Sequence, residues 1–117
     1  MIQASARFRI VLVTCASIAE ARKIAQHVVK QKLAACANIV PQVESIYRWK
    51  GKVERAKEVL LVIKTTAARL RQVESDVKRL HSYDVPEFVV IPIMAGSREY
   101  LAWIAENTNP TRGALAD

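Results

Sequence analysis

Two long runs rich in Val, Ile and Tyr, residues 37–49 and 52–66, flank the dipeptide Lys50-Gly51. Extended runs joined by two residues that can supply a tight turn predict a β-hairpin. Lys-Gly is weaker turn chemistry than Asn-Gly, but the flanks compensate. The arms constrain everything else, because strands usually span about 5–6 residues and these are nearly twice that. In a chain of 117 residues, two helices over a sheet cannot cover such an arm. Its apolar flank must be buried elsewhere, and an exposed edge invites another strand. A second copy of the same chain is the economical partner. Pro41 cannot donate to a ladder, which predicts a bulge or an edge position in the first arm. The second arm closes on residues 59–63, an apolar run that belongs at the sheet centre.

The rest of the chain supplies the partners of that hairpin. Residues 8–14 read as a strand, apolar at almost every position and so expected to be buried on both faces. Ser17 and Glu20 have the spacing of a capping box. Ala21, Ile24, Ala25, Val28 and Val29 then recur at helical spacing, with Lys23, Gln26 and Lys30 between them, to about Ala34. Leu70, Val73, Val77 and Leu80 mark a second helix with Thr66 as its cap. His81-Ser82-Tyr83-Asp84 is a loop, and residues 88–94 a strand whose pairing Pro86 and Pro92 confine. Ser97 caps a short last helix holding Tyr100, Leu101, Trp103 and Ile104. Residues 107–117 read as a loose tail. The order β-α-β-β-α-β with right-handed crossovers predicts the ferredoxin-like α+β sandwich, one domain over 1–117 with its core at about 8–106.

A chain this short buries only about 60–70% of its unfolded surface, so association would help it. Its formal charge of +7 would suit an acidic partner. Basic and acidic residues are interleaved, however, which favours a solvated surface; the local exception is Arg48, Lys50, Lys52, Arg55 and Lys57. No run approaches the roughly 18–20 apolar residues of a membrane helix. Arg7 and Arg9 interrupt the only apolar stretch near the start, so a cytoplasmic location is expected. Two cysteines, Cys15 and Cys36, are too few for a disulfide framework.

The predicted topology sorts the polar residues by end. A whole helix separates Cys15 from Cys36, which excludes a bridge between them. His81 precedes the fourth strand at the end where the first one finishes, so Cys15, His81, Tyr83 and the hairpin tip at Trp49 should gather there. A thiolate and an imidazole suit copper or zinc, with Asp84, Glu87 or a neighbouring chain completing the set. The plainer alternative keeps Cys15 in the core and His81 in a protein hydrogen bond. Tyr47, Trp49, Tyr100 and Trp103 are packing residues or a ligand cage. No nucleophile elbow, phosphate-cradling loop or oxyanion hole is recognisable, so no enzyme is expected.

These residues resemble a known family. Residues 32–39, Lys-Leu-Ala-Ala-Cys-Ala-Asn-Ile, are similar to the helix-to-strand signature of CutA proteins. Residues 45–52 resemble their hairpin tip, residues 58–65 their third strand, residues 81–87 their loop before strand four, and Tyr100 to Trp103 their closing helix. The resemblance covers about residues 8–104. It implies a homotrimer similar in architecture to the PII signalling proteins, tolerance of divalent cations such as copper, and ion or small-molecule sites in clefts between subunits. Tyr47, Trp49, Lys64, Tyr83, Tyr100 and Trp103 would line those clefts. Of the family's copper ligands His81 carries over, and Cys15 stands about where strand one ends. Two departures are Lys50, where the family has an acid, and Ser82 with Asp84, where it has Pro and Glu. The competing reading is a nucleic-acid-binding module of the same topology, which would need aromatics on its inner strands; residues 59–64 have none.

Overall fold

The computed structural model describes residues 1–109. In chain order the elements are β1 (Ile2–Ala4), β2 (Phe8–Cys15), α1 (Ile18–Lys30), β3 (Cys36–Trp49), β4 (Lys52–Thr66), a 3₁₀ turn (Ala67–Arg69), α2 (Leu70–Leu80), β5 (Val89–Pro92), β6 (Ala95–Ser97) and α3 (Arg98–Glu106). Four strands form one antiparallel sheet in the order β3-β4-β2-β5, which is the ferredoxin-like arrangement expected, with the hairpin's second arm in the interior. The turn is made by Lys50 at φ 50° and Gly51 at φ 79°. Two consecutive left-handed residues match the twist of the flanking strands, as type I′ turns do. The ladder slips between Val40 and Val43, around Pro41, where the missing N–H predicts a bulge.

Register sorts each strand into two faces. Val11, Val13 and Cys15 lie opposite Ile63, Leu61 and Val59, and all six are buried with Ala21, Ile24 and Val28 of α1 and Val73 and Val77 of α2. A second cluster of Phe8, Ala35, Leu101 and Ile104 fixes α3 to the other end. Between the helices, His27 Nε2 donates to Asp76 Oδ2 at 2.7 Å, and Gln72 Nε2 donates to Asp76 Oδ1 at 2.7 Å. Burial alone would raise the Asp76 carboxyl. The hydrogen bonds from His27 and Gln72 and the charges of His27 and Arg79 outweigh it and hold the group below its usual range.

The other face carries neither long helix, and α3 reaches only its end, at Phe8 and Lys64. Ile10, Leu12, Leu60 and Val62 are only half-buried, and Val40, Val89 and Ile91 beside them are exposed. The expectation that residues 8–14 are buried on both faces is thus met on one face alone, because both long helices pack on the same side. Beyond the sheet the hairpin runs out into solvent, and the radius of gyration is 15.3 Å, against about 13 Å for a compact chain of this length.

Several local expectations are corrected. α1 stops at Lys30, not near Ala34, because Lys32 turns left-handed at φ 59° and the amides of Leu33 and Ala34 both close on Val28 O. Leu33 and Ala34 kept the apolar phase only because they drop into the core. Ser17 Oγ accepts from Glu20 N as predicted, but the Glu20 carboxylate turns to Ser82 N at 2.9 Å. Thr66 caps the 3₁₀ turn without a side-chain bond. The strand expected over 88–94 is confined to β5, and an unexpected β6 follows it and pairs with β1, a three-residue strand too short to show a period. Within the expected tail, Thr108 is buried and its Oγ1 donates to Ile104 O at 2.8 Å; residues 110–117 lie outside the described residues. No helix among the described residues is long and apolar enough to cross a membrane.

Replacing Asp76 with Asn should destabilise the fold by about 1.5–3 kcal/mol at neutral pH, the range for a hydrogen bond to a charged group. A carboxyl held below its unfolded value contributes stability above that value and loses it as pH falls. The parent–variant difference in urea midpoint should therefore close as pH drops below the ordinary aspartate value of 3.8. A difference that persists undiminished in acid would show that packing, not charge, is lost.

Candidate functional site

The last residue of β2, the first turn of α1 and the C-cap of α2 meet at one end of the sheet. They bring together Cys15, Glu20 and His81, whose ligand-type atoms all lie within 4.8 Å of one another. The His81 side chain is fully buried. Its Nε2 faces Thr14 O at 2.7 Å and its Nδ1 faces Tyr83 N at 3.0 Å. A carbonyl can only accept and a backbone amide can only donate, so the proton sits on Nε2 and Nδ1 holds a lone pair. The Tyr83 ring leans on the imidazole with centroids 4.7 Å apart. Glu20 Oε1 accepts from Ser82 N, whereas Oε2 is buried without a hydrogen-bond partner, 3.9 Å from His81 Nδ1. Burial first, then the charges of Glu20 and Glu58, push the Cys15 thiol up to about 12. The thiol is therefore protonated at neutral pH and is no nucleophile.

The convergence of Cys15 and His81 follows from strand direction. The nearby carboxylate is Glu20, however, and not Asp84 or Glu87. The loop after His81 carries those two outward, where they line a separate cleft of about 730 Å³. Glu20 was visible in the sequence only as a capping partner. A carboxylate held by a loop amide at one oxygen and orphaned at the other leaves room for a cation. Thiol, carboxylate and imidazole together fit a borderline ion such as copper or zinc. Such an ion would have to displace the thiol proton and take the Nδ1 lone pair from the Tyr83 amide.

The cleft lies between the helix-free side of the hairpin and the 81–87 loop. Tyr47, Trp49 and Tyr83 form its aromatic walls, and Trp49 is 55% exposed. Tyr83 Oη donates to Glu58 Oε2 at 2.9 Å. Burial and then that bond push the phenol up, and burial and then the charge of Glu58 raise the Glu87 carboxyl. Glu58 escaped the sequence reading as a site residue, although a carboxylate next to the apolar run 59–63 was a usable signal. Lys64, Tyr100 and Trp103 are not in this cleft. They sit at the opposite end of the sheet, with Lys64 Nζ 3.3 Å from Tyr100 Oη and the Tyr100 ring tilted against Trp103, centroids 5.4 Å apart. Cys15 pairs with Val59 and Cys36 with Lys64, well apart along β4, and both cysteines are free.

Comparison with known proteins agrees with this architecture. The family model described as "CutA1 divalent ion tolerance protein" matches residues 9–107. The chain is 50% identical over 99 residues to the "Divalent-cation tolerance protein CutA" of Thermus thermophilus, covering 85% of this chain and 96% of that one. It is 44% identical over 99 residues to "Protein CutA, chloroplastic" of Arabidopsis thaliana, covering 85% of this chain but only 54% of the relative. A plastid relative means that the family does not carry the cytoplasmic expectation. A solved structure of the divalent cation tolerance protein from Thermus thermophilus superposes with a TM-score of 0.85 at 49% identity, over 87% of this chain and 99% of that chain. Family model, relatives and superposed fold agree, and the chain belongs to the CutA1 divalent ion tolerance family.

Proposed function

We propose that this protein is a non-enzymatic homotrimer that binds a divalent cation, copper or zinc, through Cys15, Glu20 and His81, and a small ligand in the cleft beside them. The observation that carries the metal reading is the orphaned Glu20 Oε2, buried within ligand reach of a thiol and an imidazole lone pair. A PII-like signalling role fits a site whose occupancy must displace the Tyr83 amide, since that amide belongs to the wall of the ligand cleft. A buried, protonated thiol and an imidazole engaged at both nitrogens argue against nucleophilic catalysis. Two free thiols held apart suit a reducing cytoplasm.

The trimer is supported by the helix-free face. A contiguous apolar surface on a small protein marks a contact, and Ile10, Leu12, Leu60, Val62, Val89 and Ile91 present one. The two groups of expected cleft residues lie at opposite ends of one chain, so only contact between copies could bring them together. The same face weakens the nucleic-acid reading, because its inner strands offer aliphatic side chains where base stacking needs aromatic ones.

Zinc titration of the parent should show affinity rising about tenfold per pH unit between pH 6 and 8, since each ion must displace the Cys15 proton. Cys15→Ser and Glu20→Gln should each weaken uptake by at least the roughly 10–100-fold that loss of an outer-shell partner costs, whereas Asp84→Asn should not. Unchanged affinity in both of the first two variants would remove the site. Sedimentation equilibrium should give three times the 13.1 kDa chain mass, and Leu12→Glu should break the assembly. A concentration-independent monomer for the parent would end the trimer reading.

A further inference from the structure

The cluster of Cys15, Glu20 and His81 has no open side. Cys15 and the His81 side chain are fully buried, and Glu20 Oε2 is buried with them. Most of its walls are rigid. Cys15 belongs to the core with Val59 of β4 and Ala21 and Ile24 of α1, and β2 is paired along both edges. The remaining wall is residues 81–88, between α2 and β5, which belong to no helix or strand. Among the described residues, 82–87 make no backbone-to-backbone hydrogen bond. Ser82, Tyr83, Asp84 and Val85 are exposed. Segments with little buried surface and few internal bonds are the first to open.

A short set of side-chain contacts closes this loop over the cluster. Ser82 N donates to Glu20 Oε1 at 2.9 Å, and Tyr83 N donates to His81 Nδ1 at 3.0 Å. The second bond occupies the lone pair that an ion would take, so the turn must leave before an ion can be held. The Tyr83 ring covers the imidazole with centroids 4.7 Å apart. Its Oη then donates to Glu58 Oε2 at 2.9 Å. That bond ties the loop to β4, an interior strand of the sheet. Every one of these contacts lies within a single chain. A neighbouring copy can add cover over the cleft, but closure does not require it.

We infer that the Ser82–Tyr83 turn is the gate through which a divalent cation reaches Cys15, Glu20 and His81, and that the Tyr83–Glu58 bond is its latch. The inference rests on the metal half of the function proposed above and adds the route of entry. Opening itself can be read without any metal, because the same gate guards the Cys15 thiol. Gates of this kind set rates of entry and exit.

The test is the rate at which iodoacetamide labels Cys15 in the full-length protein carrying Cys36→Ser, which leaves one thiol. The folded chain should label far more slowly than the same chain in urea. Tyr83→Phe and Glu58→Gln should each speed labelling about 3–10-fold, the net worth of one hydrogen bond. Combined, they should do no more than the larger effect alone, because both remove the same bond. Tyr83→Ala, which also removes the ring, should exceed either. The urea midpoint should not move, since the opening is local, and zinc association should quicken in step with labelling. Labelling unmoved by both Tyr83→Phe and Tyr83→Ala would overturn the inference. Additive effects of Tyr83→Phe and Glu58→Gln would remove the latch. A labelling rate that follows the urea midpoint would overturn the gate by showing global unfolding instead. Labelling that accelerates on dilution of the protein would also overturn it and assign the seal to a neighbouring copy. Gated labelling in a protein that takes up no zinc would keep the gate and end the metal reading, whereas zinc uptake with ungated labelling would do the reverse.

Discussion

Everything in this molecule depends on the ladder along β4. That strand pairs with β3 from Lys52 to Lys64 and with β2 from Val59 to Thr66, so it serves both as the centre of a sheet and as one arm of a free-standing ribbon. Because side chains alternate strictly along a strand, a single register fixes two surfaces at once. One set, Val59, Leu61 and Ile63, enters the core under the helices. The other set, Glu58, Leu60, Val62 and Lys64, faces the side that the two long helices leave open, where only α3 reaches the Lys64 end. The cleft, the apolar patch and the Lys64–Tyr100 contact are all outcomes of that second set.

The chemistry near His81 is governed by desolvation. Cys15, Glu20 and His81 come from three different elements, and backbone groups hold the two that are polar: Thr14 O and Tyr83 N on the imidazole, and Ser82 N on the carboxylate. Burial favours the neutral thiol, and the neighbouring carboxylates reinforce that preference. The cluster is closed in its resting state. Opening it means moving Tyr83, which couples the buried cluster to the cleft through a single residue that belongs to both.

The long elements were legible because periodicity accumulates over many residues. The hairpin from 37 to 66, the strand at residue 8, both long helices and the Ser97 cap came from pattern and turn chemistry alone, and the bulge from one proline. What failed was local and short. A three-residue β1 has no period, and Lys32 ended α1 with a left-handed turn that a lysine does not announce. At the site, strand direction placed Cys15 with His81, but it could not say whether Asp84 and Glu87 pointed inward, because a loop's path is not encoded in alternation. Glu20 was found in the wrong role, since capping spacing and a bond to a distant loop amide look identical in sequence. The His27–Asp76 pair went unread, although Asp76, buried between Val73 and Val77 on the inner stripe of α2, was a charge out of place.

The slip at Pro41 has a consequence for how this hairpin can change. Before it, Ala37 and Ile39 pack toward the helices; after it, Val43, Ser45, Tyr47 and Trp49 share the face of Glu58. One extra residue has exchanged inside for outside along the whole distal ribbon. The arms are therefore quantised in length. Deleting one pair from the two arms would carry Tyr47 and Trp49 to the opposite surface without altering a single contact in the core, whereas deleting the extra residue alone would remove the bulge and leave both opposite the same β4 partners. Only steps of two residues per arm would preserve the cleft. Insertions near a loop are ordinarily the changes a fold absorbs most easily, and here they would be the ones it reads most strictly.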